Sequence, residues 1–318
     1  MMSIEVSAVI PAYNAADFIQ DAIGSVDSQT VSVKEIIVVD DGSTDNTEEV
    51  VHGRYPAVRY LKQANKGPAA ARNRGVALAK STWIAFLDAD DKWVPEKLAE
   101  QIETLKQYPS VALVASDMAQ TDRDFQITEP SVQARHGLKN FFTKLAGRPV
   151  DAALARLMKI NFIPTGTVLA RRDVILEAGG FPEDIRYGED LALWAKVAAR
   201  HPTSCLPQVH MLRRQHGDNA TQSTEPLLRD LVSVSENVRQ WGSATLAEQG
   251  SDADALVARA WADLGYCQFN EKRPVEALEA FRKSLAAKFN RRALFYNALC
   301  RLPAPLVYGL RGMKQRTW

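Results

Sequence analysis

Short apolar, β-branched runs alternate with amphipathic helical patterns through the first 115 residues, and each run stops in a polar turn. Residues 6–10 are apolar and end at Pro11; residues 15–28 then place Phe18, Ile19, Ala22, Ile23 and Val26 on one helical face. Residues 35–39 form a buried-type strand pattern that runs into Asp40-Asp41-Gly42-Ser43, and Thr44-Asp45 supplies capping chemistry for the next helix. The pattern predicts a third strand over 58–61, a helix over 68–80, a fourth strand over 83–87, a Pro-led helix over 95–107 and a further strand over 111–115. Alternation of this kind specifies an α/β fold, a mainly parallel Rossmann-like sheet flanked by helices.

In open sheets of this class, ligands bind beyond the carboxyl ends of the strands. Those ends carry Pro11-Ala12-Tyr13-Asn14, Asp40-Asp41-Gly42-Ser43 and Asp88-Ala89-Asp90-Asp91, so three polar, turn-rich clusters converge on one edge. Residues 121–161 are less regular and read as a helical excursion. A strand over 166–170, a short helix over 172–178, a helix over 189–200 and a last strand over 209–213 follow. After Thr224 the pattern turns all-helical, which puts a boundary near Ser223 between an α/β domain over 1–223 and a helical extension over 224–318.

A composition of 46% hydrophobic and 24% charged residues is that of a folded globular chain, and a net charge of +1 gives no field that would draw nucleic acid. The three widely spaced cysteines, Cys205, Cys267 and Cys300, have neither metal-ligand spacing nor the even count of a disulfide framework, and a reducing cytoplasm is the simplest setting. The start of the chain lacks the basic and then apolar stretch of a secretory signal, and no apolar run reaches the ~18 residues of a membrane span.

The acidic turn at 88–91 crowds three carboxylates into four residues. Mg²⁺ or Mn²⁺, hard cations that take oxygen ligands and also bind diphosphate, would neutralise them and offset charge on a departing nucleoside diphosphate. Seen alone, the same residues fit a solvated turn before the helix at Pro95. The pair Asp40-Asp41 fits a turn and helix cap equally well, or an acceptor aimed at the edge of a base. In NKGPAAARNRG, the helix opened by Pro68 favours an anion, and Lys66 and Arg72 can add charge-assisted bonds to phosphate, whereas Arg74 reads as a helix-surface charge.

Taken in order, VSAVIPAYN, EIIVVDDGSTDNT, NKGPAAARNRG and WIAFLDADD resemble the nucleotide-binding half of family 2 glycosyltransferases, which have the A-type glycosyltransferase fold. The resemblance continues through IPTGTVLARRDVILEAGGF and YGEDLALW and covers residues 3 to 220. It implies a nucleotide-binding half over 1–115 and an acceptor half over 116–223. It also implies roles: Pro11, Ala12 and Tyr13 flanking base and ribose, Asp41 taking the base N3–H with Asp40 beside it, and Lys66 or Arg72 approaching the phosphates or the base. Asp88, with Ala89 in the same nucleotide-contacting turn, lies near the ribose and the metal, Asp90 is the direct metal ligand, and Asp91 supports the turn. Glu189-Asp190 matches the acidic pair of the acceptor-side helix. Asp190 is the expected base that deprotonates an acceptor hydroxyl for inverting transfer, with Glu189 the alternative base or an acceptor contact. The segment from Arg213 to Thr221 resembles the family's Arg-x-His element, with His216 completing the metal shell or touching the diphosphate and Arg214 reaching a phosphate.

The resemblance therefore implies an inverting, metal-dependent hexosyltransferase. Its expected donor is a nucleotide sugar, UDP-sugar favoured. Its acceptor is a hydroxyl of a glycan or lipid-linked molecule in cell-surface polysaccharide or glycoconjugate synthesis. The Gln-x-x-Arg-Trp element and membrane spans of processive members are missing, which favours transfer of one or a few sugars. A non-catalytic nucleotide-sugar binder or scaffold is the alternative. A sugar-nucleotide pyrophosphorylase would need a Gly-rich basic loop where Pro11-Ala12-Tyr13-Asn14 stands, and no Gly-x-Gly-x-x-Gly of a dehydrogenase follows the first strand.

In the extension, Trp261, Leu264, Gly265, Ala277 and Phe281 fall on the spacing of one tetratricopeptide repeat, with Gln268 and Phe289 at its consensus Tyr and Pro positions. A lone repeat cannot bury its own faces, so it is expected to pack on the catalytic domain or on a second subunit in a homo-oligomer. The last segment mixes leucines and aromatics with Arg291, Arg292, Arg301, Arg311, Lys314 and Arg316. It reads either as an interfacial amphipathic segment that holds a cytoplasmic protein at the inner face of the membrane, or as a packed helix pair with a basic tail.

Overall fold

The computed structural model describes residues 4–216 and 224–302, and the chain divides into two compact units, 1–219 and 220–318. The expected boundary near Ser223 falls outside the described residues, as do Gly217–Thr221 of the Arg-x-His segment and the basic positions Arg311, Lys314 and Arg316.

The first unit begins with β1 (Val6–Ala12), α1 (Ile19–Asp27), β2 (Glu35–Asp40), α2 (Thr47–Arg54), β3 (Arg59–Lys62), α3 (Pro68–Leu78) and β4 (Trp83–Phe86). It continues with β5 (Lys92–Trp93), α4 (Lys97–Gln107), β6 (Leu113–Thr121), β7 (Ile127–Glu129), α5 (Val132–Arg135), α6 (Lys139–Leu145) and α7 (Ala153–Leu157). A 3₁₀ turn at Thr165–Thr167, β8 (Leu169–Arg171), α8 (Arg172–Glu177), α9 (Glu189–Arg200) and β9 (Thr203–Arg214) complete it.

The sheet runs β3-β2-β1-β4-β8-β6-β9-β5, with β7 paired to β6. The β3-β2-β1-β4 half is parallel, as the alternation predicts, while β8 is antiparallel to both β4 and β6, and β5 is antiparallel to β9. The sheet is therefore mixed, and the parallel β6–β9 pair sits beyond the antiparallel insertion. Val, Ile and Ala fill the buried strands from both faces, which is why β1 and β2 read as continuous apolar runs rather than alternating ones. Helix α3 lies close on β1: a Cβ at Gly75 would meet Val9 Cγ1 at 2.3 Å, so only glycine allows that approach.

Two expectations are corrected. The strand predicted over 166–170 is a 3₁₀ turn followed by β8, because the carbonyls of Gly166 and Thr167 accept side-chain donors from Trp93 and Gln101 instead of strand partners. The last strand starts at Thr203 rather than 209; Pro207 interrupts the pattern in sequence, and the ladder absorbs it as a register shift opposite Ser116–Met118.

The second unit is four helices among the described residues: α10 (Thr224–Glu248), α11 (Ala253–Asn270), α12 (Pro274–Ala287) and α13 (Arg291–Leu299). Ala262, Phe269, Ala277, Phe281 and Ala293 form its core, and a Cβ at Gly265 would meet the Phe281 ring at 2.9 Å. Asp252 and Asn290 cap α11 and α13 by accepting from Ala255 and Ala293 N–H. Gln268, at the repeat's consensus Tyr position, is buried and donates to Glu225 at 3.1 Å. Helix α13 buries Ala293 and Asn297 and leaves Leu294 and Phe295 exposed. No helix among the described residues is long and apolar enough to cross a membrane.

Candidate active site

The loops after β1 and β2 are zipped together. Asn14 Oδ1 accepts the Thr44 N–H at 2.9 Å, Ser43 Oγ accepts the Asn14 N–H at 2.9 Å, and Thr47 Oγ1 accepts the Ala15 N–H at 2.9 Å. Pro11 and Ala12 are buried at the end of β1, while Tyr13 stands 53% exposed at the rim.

Asp40 is fully buried and holds its own loop. Its carboxylate accepts from Ser43 N–H at 2.8 Å and from the Tyr60 hydroxyl at 2.5 Å. Asp41 reaches forward. Its Oδ1 accepts from Gln63 Nε2 at 2.8 Å and Lys66 N–H at 2.9 Å, and its Oδ2 accepts from Gly67 N–H at 2.7 Å. A carboxylate offers about four acceptor positions, so one lone pair on Oδ2 is left. Asp41 thus latches the loop that opens α3, and the Lys66 side chain extends into solvent from that latched backbone.

Arg72, from the buried face of α3, joins the two halves of the site. Its Nη2 donates to Asp88 Oδ1 at 2.7 Å and its Nη1 to Glu189 Oε1 at 2.8 Å, residues separated by 101 positions (189 minus 88). Two carboxylates keep the buried guanidinium charged, more firmly than an isolated arginine. These two bonds use two of the five N–H donors of the guanidinium.

Beyond β4 the acidic turn divides its work. Asp90 Oδ2 lies 2.9 Å from His216 Nε2, and the imidazole stacks on Phe18 at 4.8 Å between ring centroids. Asp91 is buried and accepts the Arg214 backbone N–H at 2.9 Å; burial first, and then Asp90 and Asp88, push its carboxyl well above the usual range. Asp88 is committed to Arg72. Among the described residues no group of three or more acidic, His or Cys side chains is arranged to hold a metal ion. The donors available to a divalent cation are the pair Asp90 and His216, with Asp88 in the same turn. That suits an ion which keeps waters and takes its remaining ligands from a phosphate. Arg214 is engaged elsewhere: it pairs with Asp21 and is stacked between Phe18 and Phe125 at 4.8 and 4.0 Å.

Glu189 and Asp190 occupy the first turn of α9, after Gly188 at φ +83°. Burial and the adjacent Asp190 raise the Glu189 carboxyl to about 7 against the pull of Arg72. Burial likewise raises Asp190, opposed by the Leu191 N–H, which donates to Oδ1 at 2.6 Å, by Arg72 and by Thr165. A carboxyl raised to about 7, as that of Glu189 is, sits where proton transfer near neutral pH can use it. Thr165 lies in the IPTGT stretch that carries the resemblance but was given no role there, and Trp93 and Gln101, which also shape this side of the site, carried no motif that singled them out.

The model of the family described as glycosyl transferase family 2 matches residues 7–176. This chain belongs to that family. An uncharacterized glycosyltransferase of Rickettsia felis is 32% identical over 237 residues, covering 74% of this chain and 37% of the relative. The putative teichuronic acid biosynthesis glycosyltransferase TuaG of Bacillus subtilis is 30% identical over 226 residues, 67% of this chain and 82% of the relative. The alignment spans about a third of the length of the Rickettsia relatives, at 37%, 30% and 37%. A crystal structure of S. aureus TarS 1-349 in complex with UDP-GlcNAc superimposes with a TM-score of 0.68 at 18% identity, covering 97% of this chain and 87% of that one. The glycosyltransferase has the A-type fold, with a helical region following it.

Proposed function

We propose that this glycosyltransferase inverts the anomeric centre of a nucleotide sugar, UDP-sugar favoured, and passes the sugar to a hydroxyl of a glycan or lipid-linked acceptor in surface polysaccharide synthesis. The observation that carries the reading is the convergence, at one sheet edge, of the Asp90–His216 pair with the Asp190 end of α9 through the Arg72 bridge. TarS, solved with UDP-GlcNAc, and TuaG, named for teichuronic acid biosynthesis, support this choice of donor and pathway class.

Tyr13 packs on the base, with Pro11 and Ala12 as the floor below it. The remaining Asp41 lone pair takes the base N3–H while Asp40 fixes the loop. Lys66, on the latched turn, approaches the phosphates, as does the N-terminus of α3. Asp90 and His216 would hold Mn²⁺ or Mg²⁺, with Asp88 and Ala89 in the same turn facing the ribose. When bound, that ion neutralises charge on the departing diphosphate. Arg72 keeps Glu189 in place at the acceptor side, and Asp190 removes the acceptor proton as the hydroxyl attacks in line. Exposed Leu294 and Phe295, together with Arg291 and Arg301, support contact of the extension with an anionic membrane face.

A screen of UDP-sugars for UDP release tests the reading. Asp190→Asn is expected to keep UDP binding and lose transfer; turnover at the wild-type rate would remove Asp190 as the base.

A further inference from the structure

Asp190 does not stand alone on its helix. Thr165 Oγ1 lies 3.4 Å from Asp190 Oδ2, and Trp194 Nε1–H donates to that same Oγ1 at 3.1 Å. An indole N–H can only donate, so the Thr165 oxygen must accept from it. The single hydroxyl hydrogen is then left to point away from Trp194, and the Asp190 carboxylate is the acceptor within reach. Trp194 is itself immobile, fully buried against Phe86 and Phe181. The chain of donors therefore has one direction, from Trp194 to Thr165 to Asp190.

The turn that presents Thr165 is held from its other side. Trp93 Nε1 donates to the Gly166 carbonyl at 2.7 Å, and Gln101 Nε2 donates to the Thr167 carbonyl at 2.7 Å. Lys97, fully buried, donates to Gln101 Oε1 at 2.9 Å and lies 4.2 Å from the centre of the Trp93 ring, which fixes which end of the Gln101 amide faces the turn. A Cβ at Gly166 would meet Met211 Sδ at 2.2 Å, so the turn is also pressed against β9. Three consecutive residues are thus clamped so that one hydroxyl faces the acceptor-side carboxylate. A hydroxyl bond at 3.4 Å is long, as catalytic bonds commonly are before substrate draws the site together.

We propose that Thr165 is a positioning residue for Asp190, its hydroxyl oriented by Trp194 and its turn held by Trp93 and Gln101, and that it keeps the carboxylate charged and aimed for proton removal. This rests on Asp190 acting as the base. The other charged groups facing Asp190 are Glu189 beside it on α9, Arg72 from α3 and Asp88 from the end of β4.

A double-mutant cycle of Thr165→Val and Asp190→Asn, read by thermal unfolding at pH 4.5 and pH 8 in the full chain, tests it without any substrate. Donation stabilises the ionised carboxylate more than the neutral acid. Thr165→Val is therefore expected to lower Tm by about 2–4 °C more at pH 8 than at pH 4.5, and this difference should vanish in the Asp190→Asn background. Thr165→Ser keeps the hydroxyl and should restore the pH dependence. Thr165→Val with Trp194→Phe removes the stranded indole donor as well, and should recover Tm at pH 4.5 while leaving the deficit at pH 8. Coupling that is absent, or equal at both pH values, overturns the proposal whatever the activity of Asp190→Asn. Coupling that is present while Asp190→Asn still releases UDP from UDP-hexoses at the wild-type rate overturns the base assignment, and with it the positioning role.

Discussion

Asp91 accepts the backbone N–H of Arg214 across 123 positions of sequence, and with the β5–β9 ladder it holds the end of β9 to the acidic turn. His216, two residues further, then meets Asp90, one residue back. Asp91 thus braces the turn on which Asp90 meets His216, and its own carboxyl is buried.

Removal of either member of the pair should abolish or weaken metal-linked nucleotide binding. UDP with Mn²⁺ is expected to raise Tm, and EDTA to cancel the rise. Asp90→Ala should lose the metal-dependent part altogether, and His216→Ala should weaken it about tenfold or more. Because Mn²⁺ competes with protons for the imidazole, the metal-dependent rise should also shrink in acid. Equal UDP stabilisation with and without EDTA would refute the metal site.

The Glu189 carboxyl titrates at about 7 in the folded chain and 4.5 in the ordinary state. A raised carboxyl binds its proton more tightly in the native state, so its stabilising contribution is full below pH 4.5 and is lost as pH rises through 7. The shift corresponds to about 3 kcal/mol at most. Denaturant unfolding should show Glu189→Gln gaining on the wild type at pH 8 and not at pH 4.5. A difference that does not change with pH would contradict the assignment.

Arg72 compensates two carboxylates from a buried position. Arg72→Met should destabilise the first unit by about 3 kcal/mol, since breaking a buried pair strands the opposite charge, with the exposed side of Asp88 softening the loss. Urea unfolding at pH 8 measures it. Lowering the pH should narrow the gap, as Glu189 takes up its proton and no longer needs the cation.

The approach of α3 to β1 at Gly75 gives a packing test far from any charge. Gly75→Ala places a methyl where Val9 Cγ1 already lies, and overpacking of this kind destabilises by about 1–3 kcal/mol. Val9→Ala in the same chain should recover part of that loss. Non-additivity in denaturant unfolding is the readout, and strictly additive effects would show that the two positions do not touch.

The centre of the parallel half was legible because β1 and β2 are buried on both faces and announce themselves as Val and Ile runs between polar turns. Helix α9 was legible for a similar reason, with Leu191, Trp194, Val197 and Ala198 on one face. The two-residue strand β5 was not, since Lys92 and Trp93 carry no period. Nor was Asp41's commitment to Lys66 and Gly67: its donors are backbone N–H groups 25 and 26 positions away, and a backbone N–H leaves no mark in a sequence. Lys97 and Gln101 look like the polar face of an amphipathic helix, yet both are fully buried. Only the second layer formed by the 3₁₀ turn explains them, and no local pattern encodes a second layer.

The distance along the chain between Asp90 and His216 also imposes an order in time. A ribosome that adds roughly 5–20 residues per second needs on the order of ten seconds to travel the 126 positions between them. Through that interval the emerging nucleotide half displays three neighbouring carboxylates with neither imidazole nor β9 to receive them. A growing chain therefore cannot assemble the Asp90–His216 pair early: it is completed only after nearly the whole first unit has been made.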